Sequence, residues 1–180
     1  MRGRKYALSV LDMELTGKLE EAFNRQVTLE LEAAITYRQL AIDMDLMDLP
    51  GLAGWFKAQA EEELEHRDKF ITHMVDRGSR PVFQAIPAQG LEITTVLEAF
   101  EASLAHEVKV SEAIRDLYRL ALETGDIDSL PLLNWFVDEQ VEEEATVGGI
   151  IGRIKRVGGD GSGLLALDRE LGARGPEDEH

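Results

Sequence analysis

Apolar residues return at alternating steps of three and four in four long stretches of the chain, the spacing of helices that each bury one seam. The first stretch predicts a helix from about Met13 to Asp45, stopped by Pro50 and Gly51. The second runs from about Leu52 to Arg77. The third starts near Thr95, which stands three residues before Glu98 in the spacing of a capping box, and ends near Gly125. Ser129 and Pro131 mark the entry to the fourth, which runs to about Val157. Residues 158–163 read Gly-Gly-Asp-Gly-Ser-Gly and predict a flexible break. A short fifth helix, Leu164 to Leu171, follows, and the acidic tail 172–180 is expected to be disordered.

Between the second and third helices, Gly78 to Ile93 holds Pro81, Pro87 and Gly90 and reads as a connection. About sixteen residues, extended at about 3.3 Å each, reach roughly 50 Å, enough to cross from one end of a long bundle to the other. The fold predicted is therefore all-α: two helical hairpins joined by one long crossover into a four-helix bundle, with a short fifth helix at the C-terminal side. One domain is expected over residues 1–180, with the bundle at about 13–157.

The seams carry more than packing. The first reads Leu19, Phe23, Gln26, Glu30, Ala33, Tyr37, Leu40, Met44 and the second Leu52, Phe56, Gln59, Glu63, His66, Phe70, His73. The third reads Leu97, Phe100, Leu104, Glu107, Ser111, Ile114, Tyr118, Ala121 and the fourth Leu133, Phe136, Gln140, Glu143, Val147, Ile150, Ile154, Val157. Each is apolar at both ends and carries glutamate near its middle. Glu30 and Glu63 are 33 positions apart, as are Glu107 and Gln140. At about 1.5 Å per residue, the two legs on either side of the first turn nearly match, so Glu30 and Glu63 stand at one level. The polar positions of four helices thus converge inside the bundle.

Composition narrows the chemistry. Acidic residues number 35 against 19 basic ones, a formal net charge of -16. A nucleic-acid partner, which needs a basic surface, is excluded on that ground; cations are favoured. With no cysteine, thiolate metal sites, disulfides and thiol nucleophiles are excluded. No apolar run is long enough for a membrane helix, and no membrane partner is expected. The basic start (Arg2, Arg4, Lys5) is followed by too short an apolar stretch for a signal peptide, which makes the expected location cytoplasmic.

Four buried carboxylates without partners would repel one another and be forced to take up protons. Two divalent cations would balance Glu30, Glu63, Glu107 and Glu143. Carboxylates with one imidazole suit iron or manganese better than soft metals. Glu63-x-x-His66 puts two ligands on one helix face. Glu61, Glu62 and Glu65 beside them have the ordinary reading of a solvated acidic face.

At these residues the sequence resembles the bacterial non-haem ferritins, from about Leu15 to Leu171. The resemblance is carried by Leu29-Glu30 with Tyr37 seven residues on, Glu62-Glu63-x-x-His66, and His106-Glu107. It continues in Trp135-Phe136-x-x-Glu139-Gln140-x-Glu142-Glu143-Glu144 and in the tail Gly163-Leu164 to Asp168-x-Glu170-Leu171. It implies a ferritin-like fold and an iron-storage function, in which Fe(II) is oxidised by dioxygen or hydrogen peroxide at a di-iron ferroxidase centre. The Fe(III) is then kept as a mineral in a hollow cage of twenty-four subunits.

It also implies roles. Glu30, Glu63 and His66 bind the first iron, with Glu63 bridging; Glu107 and Glu143 bind the second, with Gln140 close to it or to the oxidant. Tyr37 lies beside the site as a hydrogen-bond or electron donor. Glu62, Glu139, Glu142 and Glu143 match an accessory third iron site. Leu64 stands where bacterioferritin has its haem methionine, so no haem is expected, and Met44, Met47 and Met74 read as core filler.

Helix four carries Gln140-x-x-Glu143 in place of a second Glu-x-x-His, unlike di-metal enzymes on the same bundle. A manganese catalase- or oxygenase-like enzyme and a metal-free helical scaffold are the competing readings. A second row on helix three, Val96, Ala99, His106, Val110, Ala113, Leu117, Leu120, suggests a further packing partner, with His106 structural. Asp126 and Asp128 are candidates for acids that draw iron in, against their usual role as turn formers.

Overall fold

The computed structural model describes residues 14–173. Four long helices form the bundle: α1 (Gly17–Leu46), α2 (Pro50–Asp76), α3 (Val96–Thr124) and α4 (Leu130–Val157). A 3-10 turn, Ile127–Ser129, leads into α4, and α5 (Gly161–Ala173) packs against α2. No strand occurs among the described residues. The bundle helices lie within a few residues of their predicted spans. The predicted start at Met13 and the tail 174–180 fall outside the described residues.

Helix ends follow local chemistry. Glu98 N donates to Thr95 Oγ1 at 3.2 Å and Thr95 N to Glu98 Oε2 at 3.0 Å, completing the capping box at the start of α3. Gly125 ends α3 at φ 74°, where a side chain would meet the steric penalty of the left-handed region. The expected break at 158–163 is shorter than its glycines suggest. Asp160 accepts from Ser162 N at 3.1 Å and from Gly163 N at 3.2 Å, and this cap starts α5 at Gly161 rather than Leu164. The helix then continues to Ala173, so residues 172 and 173, expected in the disordered tail, are helical.

α5 is held at the N-terminus of α2. Leu52 N donates to the buried Asp168 carboxylate at 2.8 Å, a cap supplied from the other end of the chain. A Cβ at Gly51 would come within 1.9 Å of the Asp168 carbonyl oxygen, so only glycine allows this approach.

The crossover runs along α1. Val82 N donates to Asn24 Oδ1 at 2.6 Å, Gln84 N to Thr28 Oγ1 at 3.0 Å, and Thr36 Oγ1 to Gln89 Oε1 at 2.8 Å. These anchors climb α1 in order, carrying the chain from one bundle end to the other. α1 pairs with α2 and α3 with α4.

The apolar core is split. One cluster, around Tyr37, Leu40, Met44, Trp55, Phe56 and Phe100, fills the end near α5. The other, around Leu19, Phe23, Phe70, Ile114, Leu133 and Phe136, fills the opposite end. Phe70 and Phe136 stack there with centroids 4.1 Å apart. Met44 and Met74 are buried filler. In the second row on α3, Val96, Ala99, Val110 and Leu117 are already buried by this chain. That row is mostly internal packing and does not itself require an outside partner. Between the two apolar clusters lies the polar middle of the four seams.

Candidate metal centre

Glu30, Glu63, His66, Glu107, Gln140 and Glu143 are all buried, one or two from each helix. Helical spacing brings Glu63 and His66 to one face of α2, with His66 Nδ1 3.5 Å from Glu63 Oε2. Trp135 and Phe136 meet the imidazole edge-on, each at 5.6 Å, and restrict its rotation.

Ligand atoms of Glu30, Glu63 and His66 lie within 4.8 Å of one another. A second group of the same compactness joins Glu62, His66, Glu139 and Glu143. His66 is common to both, with Nε2 4.0 Å from Glu139 Oε1. Glu107 belongs to neither group. It is tied instead to Tyr37, whose hydroxyl donates to Glu107 Oε1, and to Gln140, whose Nε2 donates to Glu107 Oε2 at 3.1 Å. Glu142 is exposed and outside both groups. Glu61 and Glu65 are exposed.

Neighbours not assigned from the sequence complete the setting. Gln26 Nε2 donates to Glu30 Oε1 at 2.7 Å, Gln59 Nε2 to Glu62 Oε2 at 2.8 Å, and Ser103 Oγ to Tyr37 Oη at 3.1 Å. Gln26 and Gln59 stand in the seam rows four and three residues from the glutamates they serve, and that spacing is the signal that could have found them.

The electrostatics are those of an unbalanced site. Burial pushes Glu30 well above the ordinary carboxylate range, and the Glu63 charge adds to this. Burial raises Glu63 likewise, followed by the charge of Glu107. Glu107 is raised by burial despite hydrogen bonds from Tyr37 and Gln140 that favour its ionised form. Burial and then the charges of Glu107, Glu143 and Glu63 raise the Tyr37 phenol.

Three buried atoms in the first group, Glu30 Oε2, Glu63 Oε2 and His66 Nδ1, have no hydrogen-bond partner. Such orphans are rare in folded proteins, because each forfeits its hydration. Two carboxylates and an imidazole that bring one ligand atom each within 4.8 Å of one another fit a divalent cation of intermediate hardness.

His106 is partly buried, and burial and then the Lys109 charge lower it to about 4. Its ring nitrogens have no hydrogen-bond partner, and it belongs to neither ligand group. Asp126 is paired with Arg77 at 2.7 Å, both side chains being largely buried. Asp128 is exposed. Among the described residues, no helix is long and apolar enough to cross a membrane.

The family profile of the ferritin-like domain matches residues 20–157. The chain is 36% identical over 165 residues to the bacterial non-haem ferritin of Staphylococcus aureus, covering 92% of this chain and 99% of that protein. It is 38% identical over 160 residues to the bacterial non-haem ferritin of Staphylococcus saprophyticus, covering 89% of this chain and 96% of that one. An open-pore ferritin from the hyperthermophilic archaeon Archaeoglobus fulgidus has a TM-score of 0.87 at 35% identity, covering 90% of this chain and 100% of that chain. A closed form of the Archaeoglobus fulgidus ferritin, engineered by site-directed mutagenesis, matches with the same TM-score of 0.87 and 35% identity, covering 90% and 99%.

Proposed function

The chain belongs to the ferritin family, and from that premise we propose that it is an iron-storage subunit whose mid-bundle centre oxidises Fe(II). One observation carries the reading: the buried group of Glu30, Glu63 and His66, with three atoms left without partners.

In this reading Fe(II) is the substrate. Glu30, Glu63 and His66 hold one ion, with Glu63 shared toward a second at Glu107 and Glu143, beside Gln140. Each Fe(II) gives up one electron. Two Fe(II), one dioxygen and two protons yield two Fe(III) and hydrogen peroxide; with hydrogen peroxide and two protons as oxidant, two waters form. The protein supplies fixed carboxylates whose charge favours Fe(III) over Fe(II), and a dry site that strengthens that preference. Tyr37, hydrogen-bonded to Glu107, stands close enough to donate a proton or an electron to the site. In the same reading Glu62, Glu139 and Glu143, grouped with His66, supply the accessory third position, to which the exposed Glu142 is assigned by the family resemblance alone.

The Fe(III) product leaves for hydrolysis and mineral growth in a hollow homo-oligomeric cage of twenty-four subunits in the cytoplasm. The archaeal neighbours, described as open-pore and closed ferritins, support a shell with pores.

The test is iron retained per chain after repeated Fe(II) additions in air, followed by gel filtration. Many irons per chain, co-eluting with a large assembly, are expected. Saturation at about two per chain would indicate a resident di-metal enzyme on the same bundle, and no retention would leave only a helical scaffold.

A further inference from the structure

Gln140 sits where its amide could offer either an oxygen or an N–H to the second position of the centre. The surroundings decide which. Its Nε2 lies 3.1 Å from Glu107 Oε2, 3.3 Å from the Glu107 carbonyl oxygen and 3.3 Å from Ser111 Oγ. The carbonyl can only accept, and so can the carboxylate once it is ionised, as it is when it holds a cation. Ser111 has one hydrogen, and it is committed: Ser111 Oγ donates to Glu144 Oε1 at 2.5 Å. Glu144 is held in turn by Arg115, whose Nη2 is 3.4 Å away at the surface. Ser111 therefore faces Gln140 as an acceptor only. Turning the amide would set its oxygen against the Ser111 oxygen with no hydrogen between them, an uncompensated buried contact.

We infer that Ser111 and Glu144 are positioning residues that lock Gln140 as a hydrogen-bond donor to Glu107 and deny its oxygen to the second cation. The inference rests on the reading of the centre given above. Gln140 thereby steadies the ionised Glu107 carboxylate, while the second ion is held by carboxylates alone. A weakly held second ion suits a site that must release its product. The lock reaches the surface between α3 and α4 and touches no ligand of the first ion.

This assigns an unusual sign to the variants. Ser111→Ala removes the acceptor, and Glu144→Ala frees the Ser111 hydrogen to turn toward Gln140. In both, only Glu107 still requires the amide N–H, and a cation that draws the Glu107 carboxylate to itself leaves the amide free to turn and offer Oε1. Glu144→Gln keeps an acceptor for Ser111 and should behave as the parent. The experiment is anaerobic Fe(II) titration of the assembled full-length protein by calorimetry, with steady-state Fe(II) oxidation measured alongside.

The weaker binding step should tighten several-fold in Ser111→Ala and Glu144→Ala, with KM and kcat falling together. Binding that is unchanged or weaker in these variants overturns the inference, as does Glu144→Gln behaving like Glu144→Ala. General damage to the bundle would weaken binding, so it cannot imitate the expected result. A parent that binds no Fe(II), or whose binding is indifferent to Glu63→Gln, overturns the centre itself and this inference with it. Two-step binding in the parent without tightening in the variants overturns the inference alone.

Discussion

Two buried polar clusters sit in this bundle, one at its middle and one at its end, and they are built in opposite ways. At the end, Arg77 pairs with Asp126 at 2.7 Å and donates to Ser129 Oγ at 2.8 Å, while His73 Nε2 lies 2.9 Å from the same hydroxyl. His73 also stacks on Phe23. The cluster contains its own cation, and none of its side-chain atoms is both buried and without a partner. Burial alone would push Asp126 up, but hydrogen bonds from Arg77 and Ser129, with the Arg77 charge, outweigh it and hold the carboxyl below its ordinary range. In the middle, burial dominates at Glu30, Glu63 and Glu107, the neighbouring His66 does not outweigh it, and all three are raised. A cluster that only holds the fold together is complete without a ligand. One that leaves ligand atoms orphaned fits an occupant from outside the chain.

The two clusters should differ most at Arg77. Arg77→Ala should leave Asp126 buried without its partner and destabilise the chain by about 3 kcal/mol, roughly 10 °C in melting temperature, with Fe(II) oxidation per folded chain unchanged. Calorimetric melting of the metal-free protein checks this; a shift of only a degree or two would mean that the end cluster is no structural anchor. Glu63→Gln should do the reverse. Oxidation should fall by about 100-fold, some 2.7 kcal/mol at the transition state, while the metal-free melting temperature stays level or rises, because one repelling charge is gone. A melting temperature that fell with activity intact would exchange the roles of the two clusters.

The clusters should also answer pH with opposite signs. A carboxyl raised on folding binds more protons in the folded chain than in the unfolded one. Stability from Glu30, Glu63 and Glu107 is therefore greatest near pH 4 and declines as pH rises from the unfolded value of about 4.3 toward the raised folded values. Asp126 is depressed, so its contribution is present above about pH 4 and is lost as pH falls through its folded value. Melting curves of the metal-free protein should show the decline toward neutral pH flattened by Glu63→Gln. The loss below pH 4 should persist in that variant and diminish in Asp126→Asn. A neutral-pH decline untouched by Glu63→Gln would place its origin outside the centre.

Much of this contrast was legible along the chain, for a definable reason. Seam periodicity marks which glutamates point inward, and equal hairpin legs bring them to one level, so the polar middle follows from helix geometry alone. The bundle helices and the capping box at Thr95 follow from the same local rules. The partners at Asp126 do not, because Arg77 and Asp126 are 49 positions apart and on no shared face. A loop aspartate looks the same whether it faces solvent or a buried guanidinium. Asp168 was hidden likewise, since it caps a helix start 116 positions away. The role of Ser111 was visible as a seam position, but its acceptor state depends on Glu144 across the helix pair. Glycines at 158–163 suggested a break because propensity is local, and the Asp160 cap overrode them.

The smallest effect is expected from giving the centre a partner of its own. The end cluster is closed because each polar group meets a resident neighbour; the centre has one imidazole, His66, and leaves the second position to carboxylates. Gln140→His supplies a second imidazole three residues before Glu143, the spacing that Glu63 and His66 already use on α2. Neutral imidazole is a good ligand for iron and binds it more firmly than an amide held as an N–H donor. The first two Fe(II) per chain should then be oxidised at close to the parent rate, since Glu30, Glu63 and His66 are untouched. Later additions should slow by about tenfold, equivalent to ~1.4 kcal/mol of extra hold on the product. Stopped-flow oxidation over successive two-iron additions separates the two phases. If every addition proceeds at the parent rate, product release does not depend on a loosely held second ion, and the openness of the centre must serve iron entry instead.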